Sequence, residues 1–134
     1  MTAAGGELCD DGNLNSLDGC SSTCTLEAGF TCTTANPSVC TPICGDSRRV
    51  KGEACDDGNS TDSRGCSNNC LTMLPGYYCS GGTITTNDIC TELCADGRVT
   101  HSETCDDNNT ISGDGCSSLC VKETGFTCTT LGGP

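Results

Sequence analysis

Sixteen of the 134 residues are cysteine, and their spacing repeats. The motif CDDGN at 9–13 returns at 55–59 and, as CDDNN, at 105–109, so the periods are 46 and 50 residues. Each copy then follows Cx10CxxxC, through Cys9, Cys20 and Cys24, through Cys55, Cys66 and Cys70, and through Cys105, Cys116 and Cys120. A glycine-aromatic element follows, ending at Cys32, Cys79 and Cys128. A second CxxxC, Cys40 to Cys44 and Cys90 to Cys94, joins one copy to the next. Repetition at this period marks an array whose units cannot each bury a large core, so that neighbours must abut. The copies divide the chain into 1–43, 44–93 and 94–134.

This cysteine content exceeds the roughly 8–10 % that marks a disulfide scaffold and places the chain in an oxidising compartment, outside the cytosol. Leu, Ile, Val and Phe number only 19, too few for an ordinary core. Bridges worth roughly 2–4 kcal/mol each must take its place. Between cysteines, Gly, Asn, Asp, Ser and Thr favour turns over periodic structure. The expected fold is therefore a small disulfide-rich repeat protein, elongated, of three tandem loop-rich modules with minimal short strands or single helical turns. The CxxxC pairs suit a helical turn, and the Thr-rich runs at 31–34 and 83–86 suit short strand pairs.

A net charge of −12, with only six Lys and Arg, leaves no basic patch for phosphates or anionic lipid. Nucleic acid is thereby excluded as a partner. No apolar stretch approaches the roughly 18 residues of a membrane span, so no membrane insertion is expected. Residues 1–6 lack the charged and apolar regions of a signal peptide, and a secretory signal is expected outside this sequence.

At CDDGN, DGCSSTC and Gly29-Phe30-Thr31-Cys32 the chain resembles the Myxococcus-type cysteine-rich disulfide repeat. That pattern runs CGDG, GExCDDGN, GDGCSxxC, then an aromatic and Cys. The middle copy reads CGDSRRVKGEACDDGN, and the last reads CADGRVTHSETCDDNN followed by SGDGCSSLC. The resemblance implies extracellular repeat arrays, found in surface proteins, in fibrous appendages and beside pappalysin-type metalloproteases. Pro75-Gly76-Tyr77-Tyr78-Cys79 is also similar to the PGYYC of ephrin-receptor-like and EGF-like modules. The first copy lacks the cysteine that opens the later ones at Cys44 and Cys94, the last has none after Cys128, and Arg64 replaces Asp18 and Asp114.

Three acidic loops are the candidates for chemistry: Asp10, Asp11, Asn13 and Asp18; Asp56, Asp57, Asn59 and Asp62; Asp106, Asp107, Asn109 and Asp114. Ca2+ takes six to eight oxygens, which such loops could supply, although the spacing is not that of an EF-hand and no Glu closes the loop. The same residues equally well build turns and cap them. No other cofactor is required. Zinc is disfavoured, because CxxxC replaces the usual CxxC and His101 is the only histidine. An even number of cysteines argues against a free catalytic thiolate, and carboxylate pairs repeated three times do not describe one active site, so no catalytic residue is assigned. Phe30, Tyr77, Tyr78 and Phe126 are expected to pack over disulfides. Asn59 and Asn108 satisfy the N-glycosylation rule.

All 16 cysteines are expected in disulfides, and parity leaves two schemes. In one, Cys40 pairs with Cys44 and Cys90 with Cys94, and each copy keeps four cysteines. The interlaced order of EGF-like modules then implies Cys9 with Cys24, Cys20 with Cys32, Cys55 with Cys70 and Cys66 with Cys79. In the other, the linking cysteines pair within their own copies, which orphans one cysteine in the first copy and one in the last. Those two could join successive chains. Functionally, the sequence points to a structural segment of an extracellular filament, appendage or matrix, assembling head to tail with copies of itself or other extracellular proteins. The alternative is an adhesion or receptor ectodomain, or an accessory module of a larger secreted protein.

Overall fold

A computed structural model describes residues 6–62 and 65–128. Among them no helix forms, and regular structure is confined to two antiparallel hairpins. β1 (Phe30–Cys32) pairs with β2 (Cys40–Pro42), and β3 (Tyr77–Ser80) pairs with β4 (Ile89–Glu92). In register, Cys32 faces Cys40 and Cys79 faces Cys90. Their Cα atoms lie 4.0 and 3.9 Å apart, the close approach of directly opposed residues, and each pair is a disulfide. Thr31 lies in β1, whereas Thr83 and Thr86 bridge each other in a tight turn between β3 and β4.

The expected helical turns do not form. In the first CxxxC of each repeat, the N–H of Cys24, Cys70 or Cys120 donates to the carbonyl of Ser21, Ser67 or Ser117 at 2.8–2.9 Å. That last cysteine is left-handed, with φ of 57°, 56° and 53°. A turn that closes three residues back and then reverses hand cannot propagate as a helix.

The connecting CxxxC segments correct the first pairing scheme. Each starts in a strand, and four residues of extended chain span about 13 Å, beyond the roughly 7 Å a disulfide tolerates. Cys40 therefore bonds back to Cys32 and Cys44 forward to Cys70, while Cys90 bonds back to Cys79 and Cys94 forward to Cys120. The interlaced EGF-like order is also absent: Cys9 pairs with Cys20, Cys55 with Cys66 and Cys105 with Cys116. Cys24 and Cys128, expected in bridges, are unpaired. No bridge crosses from 1–43 to 44–93, or from there to 94–134.

Sulfur fills the interior. Among the described residues the buried apolar side chains are cysteines plus Phe30 and Val50. Cys55, Cys66, Cys70 and Cys79 form one core, flanked by Cys44 and Cys90, and Cys105, Cys116 and Cys120 form another, flanked by Cys94 and Cys128. Such dense bridging leaves no room for side chains beside it. A Cβ on Gly19 would stand 2.3 Å from the Cys40 Cβ, and one on Gly65 would stand 2.4 Å from the Cys90 Cβ.

Candidate functional site: the carboxylate turns and the two free thiols

The acidic loops fold as successive turns in which each side chain caps the backbone two residues on. Asp10 accepts from the Gly12 N–H, Asp11 from Asn13, and Asn13 from Asn15, at 3.0, 3.2 and 2.6 Å. The second copy repeats this with Asp56 on Gly58, Asp57 on Asn59, and Asn59 on Thr61. In the third, Asp106 accepts from Asn108 and Asn109 from Ile111. Gly12 and Gly58, with φ of 81° and 80°, align with Asn108 at 66°, so CDDNN keeps the left-handed turn that CDDGN requires.

In the second and third loops the first aspartate has a second role. Asp56, fully buried, also accepts from the Gly45 N–H at 2.9 Å. Asp106 accepts from Ala95, Asp96 and Gly97, at 2.9, 3.1 and 3.1 Å. Burial opposes its ionisation, but these N–H groups and that of Asn108 outweigh burial and hold its carboxyl below the usual range. The glutamate two residues before the loop cysteine grips the same incoming segment farther along. Glu53 accepts from Val50 at 2.9 Å, and Glu103 from Thr100 at 2.7 Å. Burial pushes Glu53 up to about 6, against the Val50 hydrogen bond and assisted by Asp56, Asp46 and Asp88.

The acidic loops do not gather their carboxylates around a point. Among the described residues the convergent groups of metal-ligand type are Glu53, Asp56 and Cys70, and Cys94, Glu103 and Cys120. Their cysteines are already bridged, so neither offers a thiolate. Asp62 is occupied by the Asn68 N–H, and Asp114 accepts from the Asn109 amide. Asp107 is exposed, and Arg64 lies outside the described residues.

The two thiols stand at homologous, elsewhere bridged positions. Cys24 aligns with Cys70 and Cys120, which hold Cys44 and Cys94, and Cys128 aligns with Cys32 and Cys79, which hold Cys40 and Cys90. A family model described as a domain of unknown function, DUF4215, matches three segments, 1–25, 27–71 and 75–121. The chain belongs to this family. No curated protein and no solved structure matches it. Each DUF4215 segment ends just after a CxxxC turn, and every one of the seven bridges closes inside a single segment.

Several residues that hold this DUF4215 chain together escaped the sequence reading. Glu27 accepts from the N–H groups of Leu17, Asp18 and Gly19, and Glu123 from those of Gly113 and Gly115. Burial resists the charge of Glu27, and the three N–H groups override it and depress its pKa. Leu74 takes the place of these glutamates in the middle repeat, as its N–H to the Gly65 carbonyl shows. Buried Asp88 receives the N–H groups of Gly82 and Asp56 and pairs with Arg49 at 3.2 Å. Of the aromatics, Phe30 is buried and Tyr77 half-buried, while Tyr78 and Phe126 are exposed. His101 is exposed, as is Asn108, and Asn59 is half-buried with its side-chain oxygen on Thr61.

Proposed function

We propose that this chain is a non-catalytic structural segment of an extracellular filament, appendage or matrix, joined head to tail with copies of itself or other extracellular proteins. The observation behind this reading is the placement of the unpaired thiols. Cys24 aligns with the bridged Cys70 and Cys120, and Cys128 with the bridged Cys32 and Cys79. Seven bridges in a chain this small fit an oxidising compartment, and the likeness to Myxococcus-type repeats adds the expectation of surface arrays. Non-reducing electrophoresis and electron microscopy of the oxidised protein test it. A ladder that collapses on reduction, with linear particles, supports the reading. Discrete monomers after oxidation overturn it in favour of an adhesion or receptor ectodomain.

Calcium is a second reading, favoured by one carboxylate oxygen in each of the first two loops, Asp18 Oδ1 and Asp57 Oδ2, that is buried with no hydrogen-bond partner among the described residues. Calorimetry at millimolar Ca2+ tests it, with heat expected; no heat, and thermal stability unchanged by chelation, reduces the loops to turns. Mass analysis of secreted protein tests glycan attachment, expected at exposed Asn108 before half-buried Asn59.

A further inference from the structure

The bridges that dock each connector stand against carboxylates, and the arrangement occurs twice. In the second repeat, oxygens of Glu53 and Asp56 and the sulfur of Cys70 lie within 4.8 Å of one another, and Cys70 bonds Cys44. In the third, an oxygen of Glu103 and the bonded sulfurs of Cys94 and Cys120 also lie within 4.8 Å, and Asp106 Oδ2 stands 3.9 Å from Cys120 Sγ. Each place also has one oxygen left over. Glu53 Oε1 and Glu103 Oε1 are buried without a hydrogen-bond partner among the described residues, while Oε2 of each accepts from the connector. A buried, partnerless carboxylate oxygen at homologous positions of two repeats calls for a ligand there.

Two sulfurs and two carboxylates are four donors of the kinds that zinc takes in tetrahedral sites. Local CxxxC spacing, which disfavours zinc, conceals the set, because Cys44 and Cys70 stand 26 residues apart, as do Cys94 and Cys120. We infer that each connector bridge is the closed form of a zinc site. When a dithiol reductant opens Cys44–Cys70 or Cys94–Cys120, the two thiolates take up Zn2+ together with Glu53 and Asp56, or with Glu103 and Asp106. The inference is independent of the head-to-tail reading. The hairpin bridges Cys32–Cys40 and Cys79–Cys90 provide the contrast, since their sulfurs belong to no such group among the described residues.

Opening the connector bridge leaves the ligands in place. Glu53, Asp56 and Cys70 lie in or beside the loop that the fully buried Cys55–Cys66 bridge closes, and the Ala54 N–H donates to the Cys70 carbonyl at 2.8 Å. Cys44 is kept near them without its bond, by the Gly45 N–H on Asp56 and the Val50 N–H on Glu53. The third repeat has the same supports in Cys105–Cys116, in the Thr104 N–H on the Cys120 carbonyl, and in the N–H groups of Ala95 on Asp106 and Thr100 on Glu103. Cys44 and Cys94 are half-buried, which gives a reductant its approach. Its first thiolate attacks Cys44 Sγ, Cys70 leaves and takes a proton, and its second thiol closes the reductant's own disulfide and releases Cys44 as a thiol. Two electrons and two protons pass to the chain. Zn2+ then displaces both protons and is held by two thiolates and two carboxylates.

The whole oxidised chain, with Cys24 and Cys128 first blocked by alkylation, is reduced with limiting dithiothreitol, freed of it, and titrated with Zn2+. Mass spectrometry after a second alkylating label maps the thiols that the metal shields. Zinc is expected to shield Cys44, Cys70, Cys94 and Cys120 and to leave the hairpin cysteines open to the label. Co2+ in its place should show the visible absorption of a tetrahedral thiolate site. Glu53→Gln keeps an acceptor for Val50, and counting bridges in the oxidised variant shows that it folds. It should weaken one of the two sites roughly tenfold or more and leave the other, since loss of even an outer partner of a metal ligand has an effect of that size. Asp62→Asn, which removes an exposed carboxylate of the same repeat, should change neither. Hairpin thiols shielded as well as the connector thiols, or unchanged affinity in Glu53→Gln, overturn the site. Zinc uptake no greater than that of the unreduced chain does so as well.

Discussion

Asp88 and Asp56 clasp each other's backbone: the Asp56 N–H donates to Asp88 Oδ2 at 3.0 Å, and the Asp88 N–H donates to the Asp56 carbonyl at 2.5 Å. Ser38 and Asp10 make the same clasp in the first repeat, through the Ser38 hydroxyl. The residue two before the returning hairpin cysteine thus ties each hairpin to its acidic loop. Asp88→Ala strands two buried N–H groups and Arg49, and should lower stability by about 2–4 kcal/mol in denaturant unfolding. Asp88→Ser should recover part of this loss, because serine suffices at position 38. Equal loss in both variants would show that the ion pair with Arg49, and not the clasp, is the stabilising contact.

Glu53, raised to about 6, holds its proton more tightly folded than unfolded. Its contribution to stability is complete below about pH 4.5, declines as pH rises through 6, and is flat above. Asp46, pushed up by burial and then by Asp56, acts in the same direction. Glu53→Gln keeps the acceptor for Val50 without the charge. It should stabilise the chain at pH 7.5 by about 1 kcal/mol or less, the full shift being reduced by solvent screening, and should change little below pH 4.5. Thermal melts across this range check the crossover.

Asp106 carries the opposite sign. Its depressed pKa means that the stability it confers is present above the unfolded value and is lost as pH falls through the folded one. Asp106→Asn should cost about 1–3 kcal/mol at pH 7, with the deficit shrinking in acid. A deficit independent of pH would mean that the charge is not what holds the 95–97 turn.

Gly19→Ala places a methyl against the Cys32–Cys40 bridge at a φ of 117°. Thiol counting after refolding should find more than the two free thiols expected of the unaltered chain, Cys24 and Cys128. Unchanged thiol content and stability would show that the hairpin can move aside.

Much of this architecture was legible in the cysteine pattern, because a spacing repeated three times with almost no other apolar mass leaves few alternatives to a loop-rich, bridged array. Connectivity was not. Parity allowed two schemes, and the choice depended on whether residues 40–44 bend or extend, which the register of β1 against β2 decides. The acidic loops stand out in the sequence, but sequence could not show that Asp56 and Asp106 turn their oxygens to the backbone of the preceding connector. Glu7, Glu53 and Glu103 recur two residues before the loop cysteine in all three copies, a signal visible on alignment and left unread. Glu27 and Glu123 gave less warning, since a carboxylate eight to ten residues from the N–H groups it serves looks like any surface charge.

The division of labour within each connector, one sulfur bonded backward and the next forward, shapes how the chain bears tension. Bridges at Cys32–Cys40, Cys44–Cys70, Cys79–Cys90 and Cys94–Cys120 lie in series and short-circuit loops of 8, 26, 11 and 26 residues. A pull along the array therefore runs mainly through sulfur and the short spans between bridges, and even complete loss of non-covalent structure pays out little length. Oxidised, the stretch from Cys32 to Cys120 can lengthen only through the spans between its bridges; reduced, the same stretch becomes a slack polypeptide with several times the contour length.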